Sequence, residues 1–167
     1  NLEELELLNA LISDMLFLSR ADRGDRAEGL ERVALGHEAD NAIRYCDVLL
    51  LEARVGAERA GDALVLCNPP LIRRALVNLL TNAIRHTPPD GAVQVHAHRL
   101  DGAAVLTVSD ECGGIDPAHM ERIFEPGWRG TLGRTPAAGE GAGLGLAIVD
   151  GIVAAHAHDR RDHAPER

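Results

Sequence analysis

The stretch NPPLIRRALVNLLTNAIRHTPPDGAVQVHAHRLDGAAVLTVSDECGGI, residues 68–115, decides the fold. Leu71 to His86 carries apolar residues at helical spacing, and Pro69 and Pro70 just before it suit a first helical turn, where a missing N–H is tolerated. Pro88-Pro89-Asp90-Gly91 forces a turn. Ala92–Leu100 and Ala103–Ser109 then read as two strands, and Asp101-Gly102 between them is a strong signal for a tight hairpin. The second strand runs straight into Asp110 and a pair of glycines.

Working outward, a helix is predicted from about Ala34 to Ala53. Short strands follow near Val55–Ala60 and Ala63–Cys67, and Gly61-Asp62 reads as a hairpin turn between them. Asn1 to about Ala21 is helical in period. Leu5, Leu8, Ile12 and Met15 alternate at spacings of three and four, widened by Leu2, Leu11, Leu16 and Phe17. About two to three heptads are too few for an independent coiled coil, so this seam is expected in a helical hairpin or a four-helix dimer. The competing reading is an amphipathic helix packed on its own domain. Arg20 to Gly29 is polar and glycine-interrupted, as a linker would be. From Asp110 to Gly143 the chain is rich in Gly and Pro, apart from a short helical turn around Ala118–Phe124; a loop of that length is usually functional. The last helix is expected from Leu144 to about His156, followed by a charged, unstructured tail from His158 to Arg167.

Helices alternating with paired strands imply an α+β fold, a two-layer α/β sandwich with a mixed sheet carrying helices on one face. The expected division is a helix over 1–22, a linker over 23–33, a main domain over 34–157 and an altered tail over 158–167.

The 167 residues are 46% hydrophobic, enough for a sizeable core, but only 2% aromatic. Leu, Val, Ile and Ala must therefore build that core, and a nucleic-acid binder with aromatic stacking platforms is excluded. Seventeen basic and 26 acidic residues leave a net charge of −9, which disfavours long phosphate backbones and anionic membranes but leaves a small phosphorylated ligand open. No apolar run approaches the roughly 20 residues needed to span a bilayer. Cys46, Cys67 and Cys112 are odd in number and lack CxxC spacing, so a reduced, cytosolic compartment is expected. A start at Asn1 rather than Met reads as a fragment.

Three clusters carry chemistry. Asn78 and Asn82 lie four apart and share a helix face amid Leu and Ile, where buried amides need partners. An Asn carbonyl is a hard ligand suited to Mg²⁺, and Arg85, three residues on, could reach a phosphate. The bland alternative is a pair of amides that cap or bond neighbouring strands. Asp110-Glu111-Cys112-Gly113-Gly114-Ile115 offers a carboxylate at a strand end, able to accept from an exocyclic amine, with glycines that admit a flat ligand; read alone it is also a plain turn. Gly139–Ala147 (GEGAGLGLA) runs into a helix start, where backbone N–H groups and the dipole favour phosphate. A Rossmann reading fails because a loop, not a strand, precedes these glycines, and a Walker A reading fails because Gly-Lys-Ser/Thr occurs nowhere.

In this order the clusters resemble the ATP-binding domain of sensor histidine kinases, part of the gyrase, chaperone, histidine kinase and MutL superfamily with its Bergerat-type fold. Asn78–Thr87 (NLLTNAIRHT) resembles the N box, Asp110–Ile115 the first glycine box, Arg122–Glu125 (RIFE) the F box and Gly141–Val149 (GAGLGLAIV) the second glycine box. Asn1–Asp22 resembles the second dimerisation helix of these kinases, most of all in the heavy-metal-sensing group.

The resemblance implies that Asn82 coordinates Mg²⁺ bridging the ATP phosphates, that Asn78 supports the metal or phosphate end, and that Arg85 contacts phosphate. His86 would lie beside the nucleotide. Asp110 would bind the adenine amino group, with Gly114 and Ile115 at the base. Residues from about Asp116 to Glu140 would form the ATP lid, and Gly141, Gly143, Leu144 and Gly145 would cradle phosphates. It further implies a response-regulator partner, a homodimer in the parent protein, and a cytoplasmic domain whose parent is anchored in the bacterial inner membrane through upstream segments.

Departures from the family pattern carry their own expectations. No His-Glu-x-x-x-Pro pattern supplies a phosphate acceptor; His37-Glu38 lacks the Pro, and His37 reads as an ordinary surface residue. Cys112 replaces the first glycine of its box and would cost on the order of 1 kcal/mol if that position needs a positive φ. The closing strands of the family's sheet are expected to be missing. His96 and His98 share a strand face and read as solvated. These departures motivate an alternative, a non-catalytic interaction module. A gyrase- or MutL-like ATPase fits less well, because Asn78 stands where those enzymes carry a Glu base, and Asn cannot take a proton from water.

Overall fold

The computed structural model describes residues 1–130 and 142–157. They fall into two compact units, one comprising Glu28–Ile115, the other Asn1–Ala27 with the described residues from Asp116 onward.

In the first unit the order is β1 (Glu31–Ala34), α2 (Leu35–Tyr45), α3 (Asp47–Ala53), β2 (Gly56–Gly61), β3 (Leu64–Cys67), α4 (Pro69–His86), β4 (Ala92–Leu100) and β5 (Ala103–Ser109); the helix α1 (Leu2–Asp22) before it belongs to the other unit. The Asp101-Gly102 hairpin is as expected. Leu100 opposes Ala103, and both turn residues have positive φ, 50° and 78°, as a type I′ turn requires. The helix after the prolines is also as expected, capped by the Asn68 side chain, which accepts from Leu71 N at 2.9 Å.

Three local expectations are corrected. The strands around Gly61-Asp62 do not form a hairpin. β2 pairs in parallel with β4, Gly56 opposite Ala92, while β3 pairs antiparallel with β1, Glu31 opposite Cys67. Only Gly61 takes a positive φ there, and Asp62 Oδ1 accepts from Gly36 N (2.7 Å) and Ala63 N (2.8 Å), tying the turn to the start of α2 instead of to a returning strand. A Cβ at Gly61 would lie 2.2 Å from Ala97 O, so the close approach of β2 and β4 needs glycine. Residues 31–33 of the stretch read as linker belong to β1, a strand with only Val33 buried. The single helix expected over 34–53 is two, α2 and α3, broken at Cys46 (φ −89°, ψ 4°).

Sheet order β2-β4-β5 combines one parallel and one antiparallel pair, the mixed sheet that was expected. Alternation along β4 buries Val93, Val95 and Ala97 and leaves Gln94 and His96 exposed. Val93 and Val95 pack with Ala39 and Ala42 of α2, Cys46 at the break, Leu50 of α3, and Leu76, Leu80, Ala83 and Ile84 of α4. On α4 that spacing of four, three and one turns a single stripe to the core, and the neighbouring surfaces are left for Asn78, Asn82 and Arg85. The one buried carboxylate among the described residues, Glu38, is paired with Arg73 of α4 at 3.0 Å.

The second unit contains α1 (Leu2–Asp22), a 3₁₀ turn at Pro117–His119 and α5 (Gly145–Ala157). The end of α1 packs on α5. A Cβ at Gly151 would come within 3.1 Å of Ala21 Cβ and 3.2 Å of Phe17 Cε1, so the glycine permits that close packing. Ala27 N also donates to Ala155 O at 3.1 Å. Residues 158–167, and with them the expected tail, lie outside the described residues. Among the described residues no helix is long and apolar enough to cross a membrane.

Candidate functional site

Helix α4 carries four of the residues singled out in the sequence. Asn78 and Asn82 are half-buried, one turn apart, while Arg85 and His86 are exposed in the last turn. The Asn78 Nδ2 atom is buried and has no hydrogen-bond partner among the described residues. An unmade hydrogen bond on a buried amide costs about 1–3 kcal/mol, so its retention calls for an explanation. The bland reading, in which these amides bond neighbouring strands, does not describe this atom.

The helix stops at Thr87, whose buried hydroxyl donates to Ala83 O at 2.8 Å. Gly91, read only as part of a turn, then does more than turn the chain. A Cβ there would lie 2.7 Å from Thr87 Cγ2 and 2.9 Å from Glu111 Oε2. The end of α4 and the loop after β5 therefore meet across Gly91, which brings the N-box helix and the first glycine box together in one unit. No sequence signal marks this, because the constraint is a tertiary contact.

Asp110 follows β5 and is exposed. Its Oδ1 accepts from Cys112 N at 2.9 Å. The expected strain at Cys112 is absent. Positive φ falls on Gly113 (87°) and Gly114 (96°) instead, and no atom lies within 4 Å of where a Gly114 Cβ would be. Ile115 beside them is 49% exposed. The carboxylate of Asp110 pushes the Cys112 thiol above its ordinary range, and burial pushes Cys67 up to about 11 and Cys46 upward too.

The second glycine box falls in the other unit, and its Gly141 lies outside the described residues. Gly143 has φ 73°, and a Cβ on it would sit 3.0 Å from Gly127 C and Trp128 O. Gly127 N donates to Gly143 O at 3.0 Å, so glycine there is required by both conformation and space. Leu144 is buried, its carbonyl accepts from Ile148 N at 2.9 Å, and Gly145 opens α5. The glycines thus lead into a helix N-terminus, as expected. In the F-box stretch, the predicted helical turn is a 3₁₀ turn capped by Asp116 and followed by further turns, with Arg122 Nε on Glu125 Oε2 at 3.0 Å.

Comparison with known proteins gives these positions a family. The model of "Histidine kinase-, DNA gyrase B-, and HSP90-like ATPase" matches residues 67–165. The sensor histidine kinase CusS of Escherichia coli O157:H7 is 37% identical over 157 residues, covering 93% of this chain and 32% of CusS. The sensor protein IrlS of Burkholderia pseudomallei is 34% identical, covering 93% of this chain and 33% of IrlS. This chain thus spans about a third of the length of those relatives. Among solved structures, the histidine kinase AdeS of Acinetobacter baumannii superposes with a TM-score of 0.74 at 23% identity, covering 92% of this chain and 70% of that one, and shows the fold. Full-length ShkA in complex with AMPPNP superposes at 0.73 with 26% identity, covering 89% of this chain and 31% of ShkA. The chain belongs to the family of histidine kinase-, DNA gyrase B- and HSP90-like ATPases.

Proposed function

We propose that this chain is the ATP-binding catalytic part of a two-component sensor histidine kinase. The observation that carries the reading is the Asn78–Asn82 pair on α4, with a buried and unpartnered Asn78 amide, in the same unit as the Asp110 turn. An orphan donor suits a phosphate oxygen, and an Asn carbonyl at position 82 suits Mg²⁺, which is commonly held by few protein groups with phosphates and waters completing its shell. The residues present therefore fit the metal, and Asn82 would hold it. When bound, Mg²⁺ would neutralise charge on the phosphates.

The chain's own groups divide the remaining work. Asp110 accepts from the exocyclic amine of adenine, and Gly114 leaves room for the base. His86 lies beside the nucleotide. Arg85 and Asn78 contact the phosphate end, and Gly143 and Gly145 offer phosphate their backbone N–H groups at the start of α5, with Gly141 assigned the same task by resemblance alone. Catalysis is then positioning and charge stabilisation. The γ-phosphoryl group leaves ADP as its P–O bond breaks, and a P–N bond forms to a histidine on a segment outside these residues. From there it passes to an aspartate of a response-regulator receiver domain. In this reading residues 1–22 are a dimerisation helix, 23–30 a linker, and the catalytic domain begins at β1 and runs to 157, in a homodimeric parent. The domain is cytoplasmic and any membrane anchor lies in other segments.

Calorimetric titration with AMPPNP tests this. Mg²⁺ is expected to strengthen binding, and Asn82→Ala should lower affinity in Mg²⁺ tenfold or more, about 1.4 kcal/mol, while the weaker binding in EDTA is the same for both proteins. Equal affinity of wild type and variant in Mg²⁺ contradicts the reading.

A further inference from the structure

The face of the mixed sheet opposite the helices carries two histidines that the nucleotide reading does not use. His96 and His98 alternate along β4 with the buried Val95 and Ala97, so both project to that face. Residues two apart on a strand have stems about 6.6 Å apart. The two ring centroids are only 4.8 Å apart, with the planes 18° from parallel, so the rings lean together and stack. The expectation that both are solvated holds for His96, which is exposed, and fails for His98. His98 is half-buried, and its Nδ1 atom is covered and has no hydrogen-bond partner among the described residues. A covered imidazole nitrogen without a partner calls for an explanation, and its lone pair is the donor that late first-row divalent ions prefer.

The surroundings suit such an ion. His96 faces Ala60 of β2 and Thr107 of β5 across the sheet, and its ring occupies space that Gly61 leaves open. A Cβ at Gly61 would lie 2.9 Å from His96 Cδ2 and 3.0 Å from its Nε2. Glu58, opposite Gln94 on the same face, adds negative charge. We propose that His96 and His98 form a two-histidine site for a divalent transition-metal ion, Ni²⁺ or Cu²⁺. The exposed His96 ring turns about its χ angles and opens the stack, so that one nitrogen of each ring meets the ion. Among the described residues no group of three or more His, Cys, Asp or Glu side chains could hold a metal, so water completes the shell. Tetragonal Ni²⁺ and Cu²⁺ accept two imidazoles and water, whereas a structural zinc site takes four protein ligands. The proposal is independent of the nucleotide reading.

Ni²⁺ is the probe, since Cu²⁺ could oxidise the partly exposed Cys112. It is titrated into the full chain without nucleotide or Mg²⁺, and paramagnetic broadening of backbone amides is mapped by NMR. Broadening should begin at His96–His98 and at Ala60 and Thr107 beside them. In calorimetry, His96→Ala and His98→Ala should each weaken Ni²⁺ binding by more than the roughly tenfold lost with a group that merely orients a ligand. His158→Ala with His163→Ala should leave it unchanged. Ni²⁺ should raise the urea midpoint of the wild type and not that of His96→Ala, whose exposed position keeps the result independent of folding. Broadening centred on other histidines, none at equimolar Ni²⁺, or equal affinity in wild type and His96→Ala overturns the proposal. AMPPNP binding by His96→Ala, expected to match the wild type, reports separately on the nucleotide reading.

Discussion

Glycines at Gly143 and Gly114 look alike in sequence, yet the structure asks different things of them. Both have positive φ, but a Cβ at Gly143 meets backbone of Gly127 and Trp128 at 3.0 Å, whereas at Gly114 it meets nothing. Gly114→Ala should therefore cost only conformational strain, about 1 kcal/mol. Gly143→Ala adds overpacking against backbone that cannot rotate away, about 1–3 kcal/mol more. Urea denaturation should rank the two variants in that order. Residues of unmistakable chemistry were readable from sequence alone: an amide pair at helical spacing on α4, and an aspartate before glycines at a strand end. Gly91 was not, because its role is a contact with Thr87 and Glu111.

Elements were legible where periodicity and turn chemistry agree. The α4 stripe and the Asp101-Gly102 hairpin have both. Leu80, fully buried on that stripe, should cost about 2–5 kcal/mol when cut to Ala, read as a lower denaturation midpoint with an unchanged slope. β1 was missed because a four-residue strand with one buried side chain shows no alternation. The break at Cys46 was missed because Ala39, Ala42, Cys46 and Leu50 keep one helical stripe across it. The false hairpin arose from reading Gly61-Asp62 locally, when Asp62 is spent on α2. Beside that turn, Arg59 of β2 forms two bonds of 3.0 Å with Asp40 of α2 and holds the Asp40 carboxyl below its ordinary value. A carboxylate whose folded pKa is depressed stabilises the protein above the usual carboxylate range, and that contribution is lost as pH falls below about 4. Asp40→Asn should lower the urea midpoint at pH 7 by a small amount, since the pair is partly exposed, and by progressively less as the pH falls below about 4.

At the scale of the molecule, α1 exposes Leu5, Leu8, Ile12 and Met15 along the seam read from the sequence, while its far end packs on α5. An apolar stripe of this kind favours a second helix. Sedimentation velocity should show concentration-dependent self-association, abolished by Leu8→Glu with Ile12→Glu; a wild-type monomer at all concentrations removes the dimerisation reading of α1. The fold class was legible because helices and paired strands alternate and the boxes come in order. The pairing of β1 with β3 and of β2 with β4 was not, because long-range register leaves no local mark. The central claim, that α4 and the Asp110 turn hold an adenine nucleotide, is tested most directly by mapping backbone amide NMR shifts on addition of Mg·ADP. The account predicts that the shifts concentrate at Asn78–His86 and Asp110–Ile115, and that Mg·GDP at the same concentration leaves them unmoved. Shifts confined to other residues, or none with either nucleotide at millimolar concentration, would contradict it.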